Sequence, residues 1–327
     1  MHKITRKTLL YSVLMILILY SCAPKTKSGY SEERGYEGNI SVSGAFALYP
    51  LVVLWSEDFK KIHPHVRFNI SAGGAGKGIA DALTEMVDIG LVSRDLHPQE
   101  IERHAYPIHV AKDAVICTIN SNHPNYAILM ERGVTKIELE NLFVLKKYKT
   151  WNELDARLTK EPIAIYVRSD AAGAAETWAN FLGHKQEDLS GVGIFGDPGI
   201  AQAIKDAPNA IGFNNINYVY DLKTKKVAKD IDVLPLDLNE NGKIDEEESF
   251  YRSIDDLTEA VSKGRYPSPP SRNLTFVTRG KPESALIRKF IAFVLEKQSQ
   301  SILLENGYVP LHQDVVDIEL KKIQNVQ

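Results

Sequence analysis

Between residues 39 and 93 the hydrophobic period of the chain switches back and forth between two and about 3.6, and this alternation narrows the fold more than any other feature. N-I-S-V-S-G (39–44) has the period of a strand, and Leu48, Leu51, Val52, Trp55, Phe59 and Ile62 then recur at helical spacing. Pro64 ends that helix. Val66, Phe68 and Ile70 alternate as a second strand. G-G-A-G-K-G (73–78) opens a helix carrying Ile79, Leu83, Met86 and Val87, and D-I-G-L-V-S (88–93) is a third strand. A β-α-β-α-β order over so short a stretch predicts an α/β fold with a parallel sheet and right-handed crossovers. Its strand-to-helix turns then lie along the carboxyl edge of the sheet, where ligands bind.

The same unit returns further along. An apolar run (113–119) leads into S-N-H-P, a crossing point into a second lobe, and residues 163–167 predict a strand. R-S-D-A-A-G-A-A-E-T-W (168–178) is its turn into a helix with Trp178, Phe181 and Leu182 on the buried face, and A-I-G-F (210–213) is another short strand. After Y-P-S-P-P-S (266–271), residues 274–278 return as a strand, and Leu286, Phe290, Phe293 and Val294 mark a late helix. The expected division is 39–119 with 266–327 as lobe I and 120–265 as lobe II.

Ahead of the fold, Lys3, Arg6 and Lys7 precede an apolar run (9–19) that falls short of a bilayer span and suits a signal peptide over residues 1–21. L-Y-S-C (19–22) resembles the bacterial lipobox, which implies lipidation at Cys22, an envelope location and membrane attachment. A plain secretory signal with an incidental cysteine is the alternative. Residues 22–38 are polar and expected to act as a tether. Cys117, the other cysteine, sits in V-I-C-T-I and reads as a buried strand residue, so the mature chain has no internal disulfide framework. Without the signal segment, 36 basic residues face 42 acidic ones. No basic excess exists to neutralise phosphates along a nucleic acid.

Three turns, at 45–47, 75–78 and 172–175, each present backbone N–H groups at a helix start, where the helix dipole also favours negative charge. The first two share a sheet edge. Convergence of the third requires a two-lobed clamshell. S-G-A-F-A-L-Y-P-L (43–51), G-G-A-G-K-G-I (73–79), D-I-G-L-V-S-R (88–94), A-I-G-F (210–213) and G-Y-V-P-L (307–311) together resemble the phosphate-binding proteins of bacterial phosphate ABC transporters, periplasmic binding proteins of the two-lobed type. The resemblance runs over almost the whole mature chain in family order. It implies a clamshell whose lobes are each a mixed, mostly parallel sheet flanked by helices. It also implies reversible capture of phosphate, delivery to an ABC permease, and a monomer that is not an enzyme. The expected ligand contacts are Ala45, Phe46, Ala47, Ala75, Gly76, Ser93, Arg94, Arg168, Asp170, Ala172, Gly173 and Ala174.

Relatives usually carry Ser or Thr near 45–47, Ser at 75 and Ser-Gly-Thr at 172–174; here every one of those hydroxyls is replaced. A hydrogen bond to a charged group contributes about 1.5–3 kcal/mol net, so capture would rest on main chain and arginine. Asp170 is the expected acceptor for a proton on the ligand, with helix capping as its alternative role. Phe46 either walls the pocket or turns into its lobe's core. D-L-N-E-N-G-K-I-D-E-E-E (237–248) matches a calcium loop, with oxygens from Asp237, Asn239, Asn241, the Lys243 carbonyl, Asp245 and Glu248, and a helix is expected from 247 to 261. No G-x-S-x-G, H-E-x-x-H, Walker or dinucleotide motif supports an enzyme such as a phosphatase. A divergent binding protein acting as a scaffold, or taking a different ligand, is the other reading.

Overall fold

A computed structural model describes residues 29–324; the expected signal segment and Cys22 lie outside them. The strands are β1 (Gly29–Ser31), β2 (Gly35–Gly44), β3 (His65–Ala72), β4 (Ile89–Val92), β5 (Ala105–Ile119), β6 (Ala164–Arg168), β7 (Val192–Ile194), β8 (Ala210–Asn215), β9 (Asp232–Val233) and β10 (Ser271–Arg279). Helices of eight or more residues are α1 (Tyr49–Ile62), α2 (Ala75–Leu83), α3 (Lys136–Phe143), α4 (Gly173–Leu182), α5 (Gly196–Asp206), α6 (Ile254–Ser262), α7 (Ala285–Leu295) and α8 (Gln313–Ile323). None of the described helices is long and apolar enough to cross a membrane.

The expected parallel unit is present, because β2 pairs in parallel with both β3 and β4. Strands β10 and β5 extend the sheet antiparallel, and β5 continues into the second lobe, where β8, β6 and β7 follow in a path closed by parallel pairs. Two apolar cores flank this path. Leu51, Val52, Trp55 and Phe59 of α1 pack with Phe276 of β10 and Phe290 of α7 in lobe I, whereas Trp151, Trp178, Phe213, Tyr251 and Tyr266 centre lobe II.

The structure moves three expected boundaries. The supposed tether (22–38) is structured from residue 29 onward: β1 and β2 form a hairpin, and Tyr30 meets Tyr36 edge to face with ring centroids 5.2 Å apart. Tyr30 and Tyr36 are directly opposed cross-strand partners in this hairpin, and such aromatic pairs support strand pairing. The lobes part inside β5 rather than after it, since Ala111 belongs to one core and Ala114 to the other, and Tyr266 packs with lobe II. The helix expected over 247–261 starts only at Ile254, where the Ser253 hydroxyl accepts the Asp256 amide as an N-cap; a short 3-10 turn, Glu246–Glu248, precedes it.

At the crossing, Arg272 of β10 grips Asp113 of β5 through Nε and Nη2 at 2.8 and 3.1 Å, and also donates to Asn215 and Thr177 of lobe II. Both charges are almost wholly buried, so the pair holds its geometry only because each partner is satisfied.

The position of α2 depends on glycine. A Cβ at Gly44, whose φ is +135°, would lie 2.4 Å from the Leu91 carbonyl oxygen and 2.8 Å from the Gly78 Cα. Helix and sheet therefore touch backbone to backbone, which fixes the start of α2 beside the end of β2. Gly44→Ala is expected to lower stability by roughly 2–4 kcal/mol through overpacking and the unfavourable φ. Urea unfolding measures this, and an unchanged midpoint would contradict the close approach.

Candidate functional site

The starts of α2 and α4 and the turn between β2 and α1 meet in one pocket between the lobes. Its lining is Ala45, Phe46, Ala47, Gly74, Ala75, Ser93, Arg168, Ala172, Gly173, Ala174, Asp197 and Asn215. It holds about 150 Å³ of space, none of it wide enough for a water molecule. The convergence that spacing alone left open is thus present in the folded chain.

Among the described residues, the amides of Phe46, Ala47, Ala75, Gly173, Ala174 and Ala175 make no hydrogen bond within the chain. For the residues of α2 and α4 this follows from helix geometry, in which the first turn has donors and no carbonyls to receive them; Phe46 and Ala47 lie in the turn that leads into α1. The Ala45 amide is different: it donates to the Leu91 carbonyl at 2.9 Å. The alanines supply only methyl groups to the lining. Ser93, 2% exposed, brings the one hydroxyl of the lining.

Arg168 ends β6 and is buried. Its Nε and Nη2 reach Asp170 at 2.8 and 2.5 Å, and Nη1 donates to Asp197. Three of its five donors are used, leaving two. Burial alone would lower the pKa of this guanidinium, but Asp197 and Asp170 outweigh that and raise it. Asp197, 1% exposed, also accepts the Asn215 amide at 3.1 Å, and Asn214 donates to its carbonyl. One guanidinium thus stands between two buried carboxylates.

Asp197 and Asn215 were not among the sequence expectations, nor was Gly74. The signal for Asp197 was present in I-F-G-D-P-G-I (194–200), a further strand-to-helix turn in which β7 runs into α5. Gly74 starts α2 with φ +87°, and a Cβ there would lie 2.7 Å from Asp170 Oδ2 in the opposite lobe.

Other expected contacts are placed differently. Arg94 does not line this pocket. Its Nη2 meets Glu100 at 2.7 Å and its Nε meets Glu176 at 2.9 Å, on the side of an outer groove that also includes His97, Asp170, Lys185 and Gln186. Two carboxylates outcompete the pocket for one fork. Gly76 faces that groove as well, because its amide donates across the lobes to the Ala171 carbonyl at 3.0 Å. Asp170 does not cap α4, whose N-cap is Ala172 with no side-chain bond; instead it orients Arg168 and accepts the Gly196 amide at 3.2 Å. Phe46 enters neither core. It stacks edge to face on Phe195 of lobe II at 5.7 Å, lies 5.3 Å from the Arg168 guanidinium, and its carbonyl accepts the Tyr218 hydroxyl at 2.9 Å. It therefore forms the aromatic wall.

At the acidic loop, the Asp237 carboxylate accepts the amides of Asn241 and Gly242, and Glu248 accepts those of Leu238, Asn239 and Asp245. Asn239 and Asn241 turn their side-chain amides to Asp245, and the Lys243 ammonium is 2.9 Å from it. No group of three or more His, Cys, Asp or Glu among the described residues is gathered to hold a metal ion.

Comparison with known proteins agrees with this geometry. A family model described as a PBP superfamily domain matches residues 28–298. The phosphate-binding protein PstS of Pseudomonas aeruginosa is 25% identical over 317 residues, covering 90% of each chain, and that of Bacillus subtilis is 24% identical, covering 95% of this chain and 94% of its own. A Clostridium perfringens structure with bound phosphate, assigned as a phosphate ABC transporter substrate-binding protein, superposes with a TM-score of 0.69 at 22% identity, over 84% of this chain and all of its own. An ABC-type phosphate transport receptor from Vibrio cholerae gives 0.62 at 16% identity, over 83% and 100%. With two lobes, crossing strands and a pocket of helix starts between them, the chain belongs to the PBP superfamily.

Proposed function

We propose that this protein captures inorganic phosphate, or a closely related tetrahedral oxyanion, between its lobes and delivers it to an ABC permease. The observation that carries this reading is the set of five buried or half-buried amides, those of Phe46, Ala47, Ala75, Gly173 and Ala174, without partners in the chain, on residues that line one pocket beside Arg168. A buried donor left unmade costs about 1–3 kcal/mol, so the pocket favours a guest made of acceptors. The names of the relatives point the same way. The walls leave no space for a water molecule, so the lobes must ease apart to admit the anion.

Electrostatics refines the choice of guest. Asp170 and Asp197 beside Arg168 set two carboxylates against one cation, which disfavours a dianion and favours an oxyanion that retains a proton to donate. A lipid anchor at Cys22 belongs to the same reading. We also propose that the 237–248 loop takes up calcium by turning the Asn239 and Asn241 carbonyl oxygens and the Asp245 carboxylate inward. Its support is the buried Asp237 and Glu248 at the two ends and the positive φ of Gly242 at the turn.

Titration calorimetry should give heat with phosphate and arsenate, with tighter binding at pH 6 than at pH 8 because the monoanion predominates at the lower pH. No heat with any oxyanion would favour the scaffold reading, and turnover of a phosphoester would favour an enzyme. Ala174→Ser, which adds a hydroxyl donor to the lining, should tighten phosphate about tenfold, equivalent to about 1.4 kcal/mol. Unchanged affinity would mean that the anion does not reach the start of α4. Calcium should raise Tm by a few degrees and EGTA should reverse the effect, as for any ligand that binds only the folded state. Identical melts would remove the calcium proposal.

A further inference from the structure

Arg94 lies outside the pocket, and its actual partners assign it another task. It follows β4 in lobe I, while Glu176 lies in the first turn of α4 in lobe II. Arg94 Nε is 2.9 Å from Glu176 Oε2, and His97 Nε2 of lobe I is 2.7 Å from the other oxygen of the same carboxylate. One acidic side chain is thus held from across the cleft by two basic ones. The Arg94 side chain is 7% exposed and that of Glu176 20%, so solvent screens the pair only partly.

Glu100 holds Arg94 in place. It accepts Nη1 and Nη2 at 2.8 and 2.7 Å and also takes the His97 amide at 2.8 Å, so Arg94, His97 and Glu100 form one unit within lobe I. The fork has an edge for each carboxylate, which a point charge such as lysine does not offer. Next to this contact the Gly76 amide donates to Ala171 across the cleft, and the Thr177 hydroxyl, one residue after Glu176, faces the Ser93 carbonyl at 3.5 Å. Every one of these contacts breaks when the lobes separate.

We infer that Arg94, His97 and Glu176 form an electrostatic latch that holds the cleft shut, so that Arg94 positions the lobes rather than touching the ligand. The latch rests on the clamshell and on the phosphate reading only for its purpose, which is to set how fast the guest enters and leaves. An anion that requires the lobes to ease apart exchanges at a rate governed by this contact. Weakening it raises entry and exit together. Removing a ligand contact would raise exit alone.

Glu176→Gln tests this without stranding a buried charge, because Glu100 still neutralises Arg94. Spin labels on Lys61→Cys in lobe I and Lys160→Cys in lobe II, both exposed positions, report the interlobe distance in the full-length protein by double electron–electron resonance. Without ligand, Glu176→Gln should shift and broaden the distances towards open forms, and Arg94→Lys should do the same, with Tm little changed. In stopped flow with inorganic phosphate, association and dissociation should both quicken, by about tenfold, the change that corresponds to about 1.4 kcal/mol. Unchanged distances in both variants would overturn the latch, as would faster dissociation with unchanged association. The ligand-free distances do not depend on what the pocket binds, so failure to bind phosphate would remove the functional reading while leaving the latch standing.

Discussion

Unpartnered main-chain donors at helix starts are the constraint on which the rest of the site depends. A helix leaves its first amides without acceptors, and water normally supplies them. Here the starts of α2 and α4 and the turn before α1 are drawn to one narrow pocket, where the alanines contribute only methyl groups and the clearance is smaller than a water molecule. The fold achieves this with glycine. Gly74 and Gly76 admit Ala171 of the other lobe, and Gly173 admits Ser93, at separations that any Cβ would obstruct. Backbone meets backbone across the cleft, so the polar groups facing the guest are mostly peptide amides, fixed in direction by the helices that carry them.

Around that amide cluster the charges are arranged to compensate one another. Arg168 is fixed by Asp170 and Asp197, and the two donors it retains are the ones left for a guest. Asp197 is itself in the first turn of α5, where a helix start favours an acid. A site built this way owes little to flexible side chains. The binding energy available to an anion comes from preformed dipoles, and it is reduced by the second carboxylate, which makes proton-bearing guests preferable to fully ionised ones.

Much of this was legible in the sequence because it rests on periodicity and on local turn chemistry. The change from period two to period 3.6 pointed to turns at 75–78 and 172–175, where α2 and α4 begin at Ala75 and Gly173, whereas α1 begins at Tyr49, two residues past the turn at 45–47; the parallel pairing of β2 with β3 and β4 followed from element order alone. What was hidden depends on partners far apart in the chain. Arg94 sits where a ligand arginine would be expected, yet Glu176, distant in sequence and on the other lobe, decides where its fork points. Asp197 lies in a turn of the same type as the other three, but its role requires knowing that β7 lies beside β6. The hairpin of β1 and β2 was masked by the polar residues between its tyrosines. β5 is long enough to serve both lobes, which no local pattern marks as a boundary.

The most direct test of the account is to follow the backbone amides themselves by nuclear magnetic resonance as inorganic phosphate is added. If peptide donors hold the guest, the N–H signals of Phe46, Ala47, Ala75, Gly173 and Ala174 should shift downfield together and saturate on one binding curve. Amides that stay fixed while the protein demonstrably binds phosphate elsewhere, or that do not respond at all, would contradict it.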